Sequence, residues 1–170
     1  MKIQSKDLVL AAAFGWLCGM RSMAGPATVG RKVLKNDLAK NALALGAAGE
    51  MLFDKSPIAP NRNSPPALMG RVMMGAATGA AIVVSGQGRT RAGFLKSRRR
   101  NPFPMDDQTT LAGAAIGAVI GGVTAAIGTE VSFRARQWVT KRTEAPNAAI
   151  GATEDVLVYA TAVLLSEHVD

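Results

Sequence analysis

Arg21, Glu50, Asp54, Arg71, Glu154 and Asp155 are ionisable residues set within or at the edges of apolar runs. An ionised side chain in hydrocarbon costs on the order of 2.5 to 3.5 kcal/mol on insertion scales, so each is expected to face a helix bundle's interior, paired or functional. Glu50 and Asp54 are one helical turn apart and share a face with Gly46, which puts two like charges side by side unless a proton or cation separates them. Arg21, Lys55, Arg62 and Arg71 are the candidate cations, while Glu154 and Asp155 stand between GAT and VLVYATAVLL. Carboxylates and guanidiniums gathered between helices could bind or pass a small ion or polar solute. A plainer account has Arg21, Asp54 and Lys55 marking helix ends at lipid headgroups, with the other charges in structural ion pairs.

Other chemistry has little to work with. Cys18 is the lone cysteine and His168, near the end of the chain, the lone histidine, so no disulfide within the chain, Cys-rich metal site or histidine triad is expected. There is no P-loop, G-x-S-x-G, H-E-x-x-H or dinucleotide-binding glycine fingerprint. The expectation is a non-enzyme with no cofactor and no metal.

The elements that must position these charges follow from the apolar runs. Thr109 to Thr129 is free of charge and has about the 20 residues that cross a bilayer. Pro66 to Gly88 carries only Arg71, whose long side chain could snorkel to the interface, and Leu8 to Gly30 carries only Arg21, with Gly25-Pro26 expected to end or kink the helix. Ala39 to Phe53 and Ala145 to Ser166 are weaker runs holding the acids. The N-terminus has the charge order of a signal peptide but no convincing cleavage region after its apolar run, which makes it a retained first helix.

Composition agrees with a membrane. The 170 residues are 48% hydrophobic but only 5% aromatic, with 18 glycines, too few large rings for an ordinary aqueous core. Glycine costs roughly 1 kcal/mol against alanine inside a helix, yet Gly113, Gly117 and Gly121 recur every four residues, as do Gly15 with Gly19 and Gly75 with Gly79. In lipid, such stripes let helix backbones approach closely. The formal charge of +8 lies mostly in connectors. Arg98, Arg99 and Arg100 in the basic stretch suit anionic lipid headgroups. The rival reading of that stretch, a nucleic-acid arm on a soluble helical protein, has only Phe94 and Phe103 for base stacking, so no nucleic acid is expected.

An internal similarity adds a topology. ALGAAGEMLFD at 44–54 aligns without gaps on AIGATEDVLVY at 149–159, matching Glu50 with Asp155, and Gly15 and Gly19 correspond to Gly117 and Gly121. The chain then reads as one membrane domain over 1–170, with repeat units at 8–56 and 110–166, a linking helix at 66–88 and a basic connector at 87–108. One intervening crossing would invert the second unit relative to the first, as in transporters built from inverted repeats.

Gly19-Met20-Arg21-Ser22, Gly49-Glu50 with Asp54-Lys55, Pro57, Pro60, Arg62, Pro65, Gly70-Arg71 with Gly75 and Gly79, and Glu154-Asp155 together resemble a bacterial membrane-protein family, domain of unknown function 4126. The resemblance spans nearly the whole chain, although the basic connector around Arg98 to Arg100 is longer than that family would lead one to expect. It implies a small multi-helix bacterial membrane protein and brings no activity with it. The combined expectation is an all-α, multi-pass inner-membrane bundle of about five helices with glycine-zipper packing, surrounded by anionic lipid and forming a homo-oligomer. Its charged cluster would bind or move a small ion or polar solute, or, in the alternative, the protein would be structural or lipid-interacting.

Overall fold

Arg21 divides the first apolar run. The structure, a computed structural model, describes residues 3–53, 64–92, 108–143 and 147–169, and among these every regular element is helical. Helix α1 (Ser5–Met20) ends at an extended Arg21, and α2 (Ala24–Val33) begins after a turn of three residues. The break therefore precedes Gly25-Pro26, where it was expected. Proline in the first turn of a helix removes an amide that would have no helical partner, so Pro26 starts α2 rather than ending α1. This division gives six helices among the described residues, against about five expected.

Asn36 starts α3 (Asp37–Phe53) by accepting the Leu38 amide on its side-chain oxygen at 2.9 Å. Helix α4 (Pro65–Ala92) opens on two prolines and runs past Gly88 into residues assigned to the basic connector. Helix α5 (Gln108–Arg142) is longer than its apolar run. The charges from Glu130 onward end the hydropathy but not the helix, because Glu, Arg and Lys are good helix formers. Helix α6 (Asn147–Ser166) completes the set. Three of these are long and apolar enough to cross a membrane: α4 over Pro65–Gln87, α5, and α6 over Ala149–Ser166.

Glycines set how the helices meet. A Cβ at Gly75 or Gly79 would overlap backbone atoms of Gly121 or Gly117, and Val83 also reaches Gly117. Ascending residue numbers on α4 thus meet descending ones on α5, so the two are antiparallel. Gly15 abuts Gly121 and Thr124, while Gly19 abuts Ala125 and Thr129, so α1 and α5 run in the same direction. That sense departs from the inverted repeat expected from the alignment, in which the helix bearing Gly117 would oppose the one bearing Gly15. Gly113 belongs to the same face of α5 but meets the Gln87 side chain, not a facing glycine.

Packing is inside out relative to a protein in water. The buried residues of α5 are Thr110, Gly113, Gly117, Gly121, Gly122, Ala125, Gly128, Thr129 and Ser132. Leu111, Ile116, Val119, Val123, Ile127 and Val131 on the same helix are exposed. Small and hydroxyl side chains face the neighbours while the large aliphatic ones face outward. Helix α2 turns back along α1, with Gly25 against Cys18 and Thr78. Its Val29 joins Leu10, Phe14, Leu17, Ile82, Val158 and Ala162 in an apolar cluster.

Candidate functional site

Breaking a helix inside a packed bundle strands backbone carbonyls on one side and amides on the other, and buried groups of this kind need partners. The break at Arg21 to Met23 supplies them from three other parts of the chain. On the carbonyl side, the Arg21 amide bonds back to the Leu17 oxygen at 2.8 Å, and Thr129 Oγ1 on α5 shares its proton between the Gly19 oxygen across the interface and the Ala125 oxygen of its own helix, each at 2.9 Å. On the amide side, Glu50 reaches over from α3. Its Oε1 accepts the Ser22 amide at 2.9 Å and the Ser22 hydroxyl at 2.8 Å, and its Oε2 accepts the Met23 amide at 2.9 Å. A carboxylate with both oxygens bonded at the start of α2 also meets the positive end of that helix.

Arg21 lies at the centre of the break with 2% of its surface exposed. Its Nη2 pairs with Asp155 Oδ1 of α6, a side chain 4% exposed. The two acids matched by the internal similarity thus converge on consecutive residues, Asp155 on Arg21 and Glu50 on Ser22 and Met23. Tyr159, one turn along α6 from Asp155, lies within electrostatic reach of Glu50, Arg21 and Asp155. Asp155 Oδ2 and the Tyr159 hydroxyl are buried and have no hydrogen-bond partner among the described residues. Two such oxygens a turn apart on one helix face mark a place where a small polar guest would be satisfied.

The remaining sequence candidates divide. Arg71 is buried at 5% exposure and does not snorkel outward. It sits one turn before Gly75, which abuts Ala125, and Gly19 also abuts Ala125, so Arg71 belongs to the same layer of the bundle as the break. Glu154 leaves the cluster. Adjacent helical residues point about 100° apart at 3.6 residues per turn, and Glu154 faces α5, with its Oε2 3.6 Å from Arg136 Nη1. Asp54, Lys55, Arg62 and Arg98 to Arg100 lie outside the described residues. No group of three or more His, Cys, Asp or Glu suited to a metal occurs among the described residues.

Ser22 stands in a sequence motif without a role, and sequence reasoning missed Thr129, Tyr159 and Thr78, the last of which faces Cys18 Sγ at 3.8 Å. Signals existed for two of them. Tyr159 is four residues from Asp155, and Thr129 directly follows the stripe glycine Gly128. No family model, curated protein or solved structure matches the chain.

Proposed function

We propose that this is a multi-pass bacterial inner-membrane protein that binds or moves a small ion or polar solute at the α1–α2 break, through Arg21, Asp155 and Glu50. The observation that carries the reading is the buried Arg21–Asp155 pair with the unpartnered Asp155 Oδ2 and Tyr159 hydroxyl beside it, inside a bundle whose exterior is aliphatic. Non-helical backbone at membrane depth is tolerated where protein buries it or where it lines a cavity, and broken helices are where transporters place their sites. In this reading the stripes at Gly15, Gly19, Gly75, Gly79, Gly117 and Gly121 are a glycine zipper serving close helix approach in lipid, and the chain assembles as a homo-oligomer among anionic lipids. Membership of the family of domain of unknown function 4126 is part of the proposal and rests on the motif residues, among which Arg21-Ser22, Glu50 and Asp155 meet at the break.

A structural role is the second reading, favoured by Glu50 itself. Both of its oxygens are occupied by Ser22 and Met23, as a pure helix cap would require. The two readings separate in proteoliposomes assayed for H+, Na+, K+ and Cl− flux. Transport predicts flux above protein-free vesicles that falls in Asp155→Asn; wild-type flux equal to that of empty vesicles for every ion would leave the structural role.

A further inference from the structure

Helices α5 and α6 bound a groove of about 390 Å³, within the size range of small-ligand sites. On α5 it is lined by Ala135, Arg136 and Val139, on α6 by Ile150, Glu154 and Leu157, with Met20 at its inner end. Spacings of three and four residues recur on both helices, 136/139 and 135/139 on α5 and 154/157 and 150/154 on α6, so two facing stripes form the walls. Ser132 and Thr153 also contribute, but their hydroxyl protons go to carbonyls of their own helices, Thr129 at 3.1 Å and Ala149 at 3.0 Å. The groove is therefore apolar except for one cation and one anion.

Those two charges have a definite place. Trp138, two residues beyond Arg136, is exposed and has the Arg142 guanidinium 4.5 Å above its ring. Exposed tryptophan and arginine at one level are the mark of a membrane–water interface. The Arg136–Glu154 pair sits just inside that level, about 3 Å of helix rise from Trp138, with Leu157 nearly one turn further in and Val139 and Ile150 on its outer side. Arg136 Nη1 lies 3.6 Å from Glu154 Oε2. The two side chains are only 26% and 11% exposed, so each would act on a ligand more strongly than at an open surface.

We infer that this groove binds a phospholipid with a primary-amine headgroup, its phosphate on Arg136, its ammonium on Glu154 and one acyl chain along Leu157 and Met20. A cation and an anion side by side match a zwitterionic headgroup in both charges. An anionic lipid lacking the amine would set its phosphate beside Glu154 with nothing to compensate, and a choline headgroup has no N–H to donate. The inference rests on the membrane placement proposed above but is independent of transport, because its test reads lipid retention and not flux.

Full-length protein, delipidated in detergent and offered equal amounts of phosphatidylethanolamine, phosphatidylglycerol and phosphatidylcholine with identical chains, tests it by native mass spectrometry. The expected result is preferential retention of the ethanolamine lipid, reduced about tenfold or more in Arg136→Gln, as loss of a hydrogen bond to a charged group implies. Glu154→Gln should abolish discrimination against the choline lipid, and Leu157→Trp, which fills the groove from an exposed position, should remove binding. Equal retention of the three lipids by wild-type protein, preference for the glycerol lipid, or unchanged binding in Arg136→Gln would overturn the inference. Flux measured on the same preparation reports separately on the transport proposal.

Discussion

Removing the charge of Asp155 is the most informative perturbation of the break. Arg21 and Asp155 are both nearly inaccessible, with side chains 2% and 4% exposed. Two unit charges about 4 Å apart at an effective dielectric near 20 attract by about 4 kcal/mol. Removal of one member of a buried pair costs about 3–5 kcal/mol in measured cases, since the survivor is left uncompensated. Asp155→Asn and Arg21→Met are therefore each expected to destabilise the protein by about 3–5 kcal/mol, a fall on the order of 10 °C in melting temperature. The double variant Arg21→Met/Asp155→Leu removes both charges and should recover most of that loss, because an apolar replacement of a buried pair is commonly neutral or better. Thermal melts in detergent give the stability cycle, and proteoliposome flux on the folded double variant gives the functional one. A restored melt with absent flux is the predicted combination. An Asp155→Asn protein within about 1 kcal/mol of wild type, or a double variant as damaged as the singles, would refute the reasoning about the pair.

Adjacent glycines should respond with opposite sign: in Gly121→Ala the new Cβ would overlap the Gly75 carbonyl oxygen and lie 3.0 Å from its carbon, whereas at Gly122 the nearest atoms are 3.5 Å away. Melts should show Gly121→Ala less stable by about 1–3 kcal/mol and Gly122→Ala more stable by up to about 1 kcal/mol. Thr129→Val keeps the shape of the side chain but leaves the Gly19 carbonyl without its cross-helix donor, for an expected loss of about 0.6–1.7 kcal/mol, the range of hydrogen bonds between membrane helices. Glu50→Gln keeps one acceptor and turns an amide group toward backbone donors, so hydrogen exchange at Ser22 and Met23 should accelerate, with a stability loss of about 1–3 kcal/mol. Unchanged exchange at both amides would remove Glu50 from its capping role.

Much of the break was legible as chemistry without being legible as geometry. Arg21, Glu50 and Asp155 stand out because charge in an apolar run demands a partner, and the glycine stripe of α5 stands out because every fourth residue returns to one face. Hydropathy could not place the ends of helices. It stops at Thr129, where α5 continues to Arg142, and it points to Pro26, where a proline in the first turn of α2 is harmless. Nor could it say which of two adjacent acids faces Arg21, since that depends on the rotation of α6. The inversion inferred from the alignment failed for a related reason: small residues fit either direction of helix packing, and only the contacts of Gly15 and Gly19 with α5 fix the sense.

A bundle with this exterior is proposed to lie in lipid, and the chain carries its own probes of that placement in its two tryptophans. Trp16 is partly exposed on the outer surface, and its backbone meets α5 at Gly128. Trp138 lies ten residues further along α5, about 15 Å at 1.5 Å per residue. Protein with Trp16→Phe or Trp138→Phe, reconstituted in bilayers of lipids brominated at successive depths, reports the remaining ring. The prediction is that Trp16 is quenched most by bromines deep in the chains and Trp138 by those nearest the headgroups, with the two depths differing by about 15 Å. Both rings indifferent to brominated lipid and equally open to aqueous acrylamide would contradict the membrane bundle, and with it the solute site at the α1–α2 break.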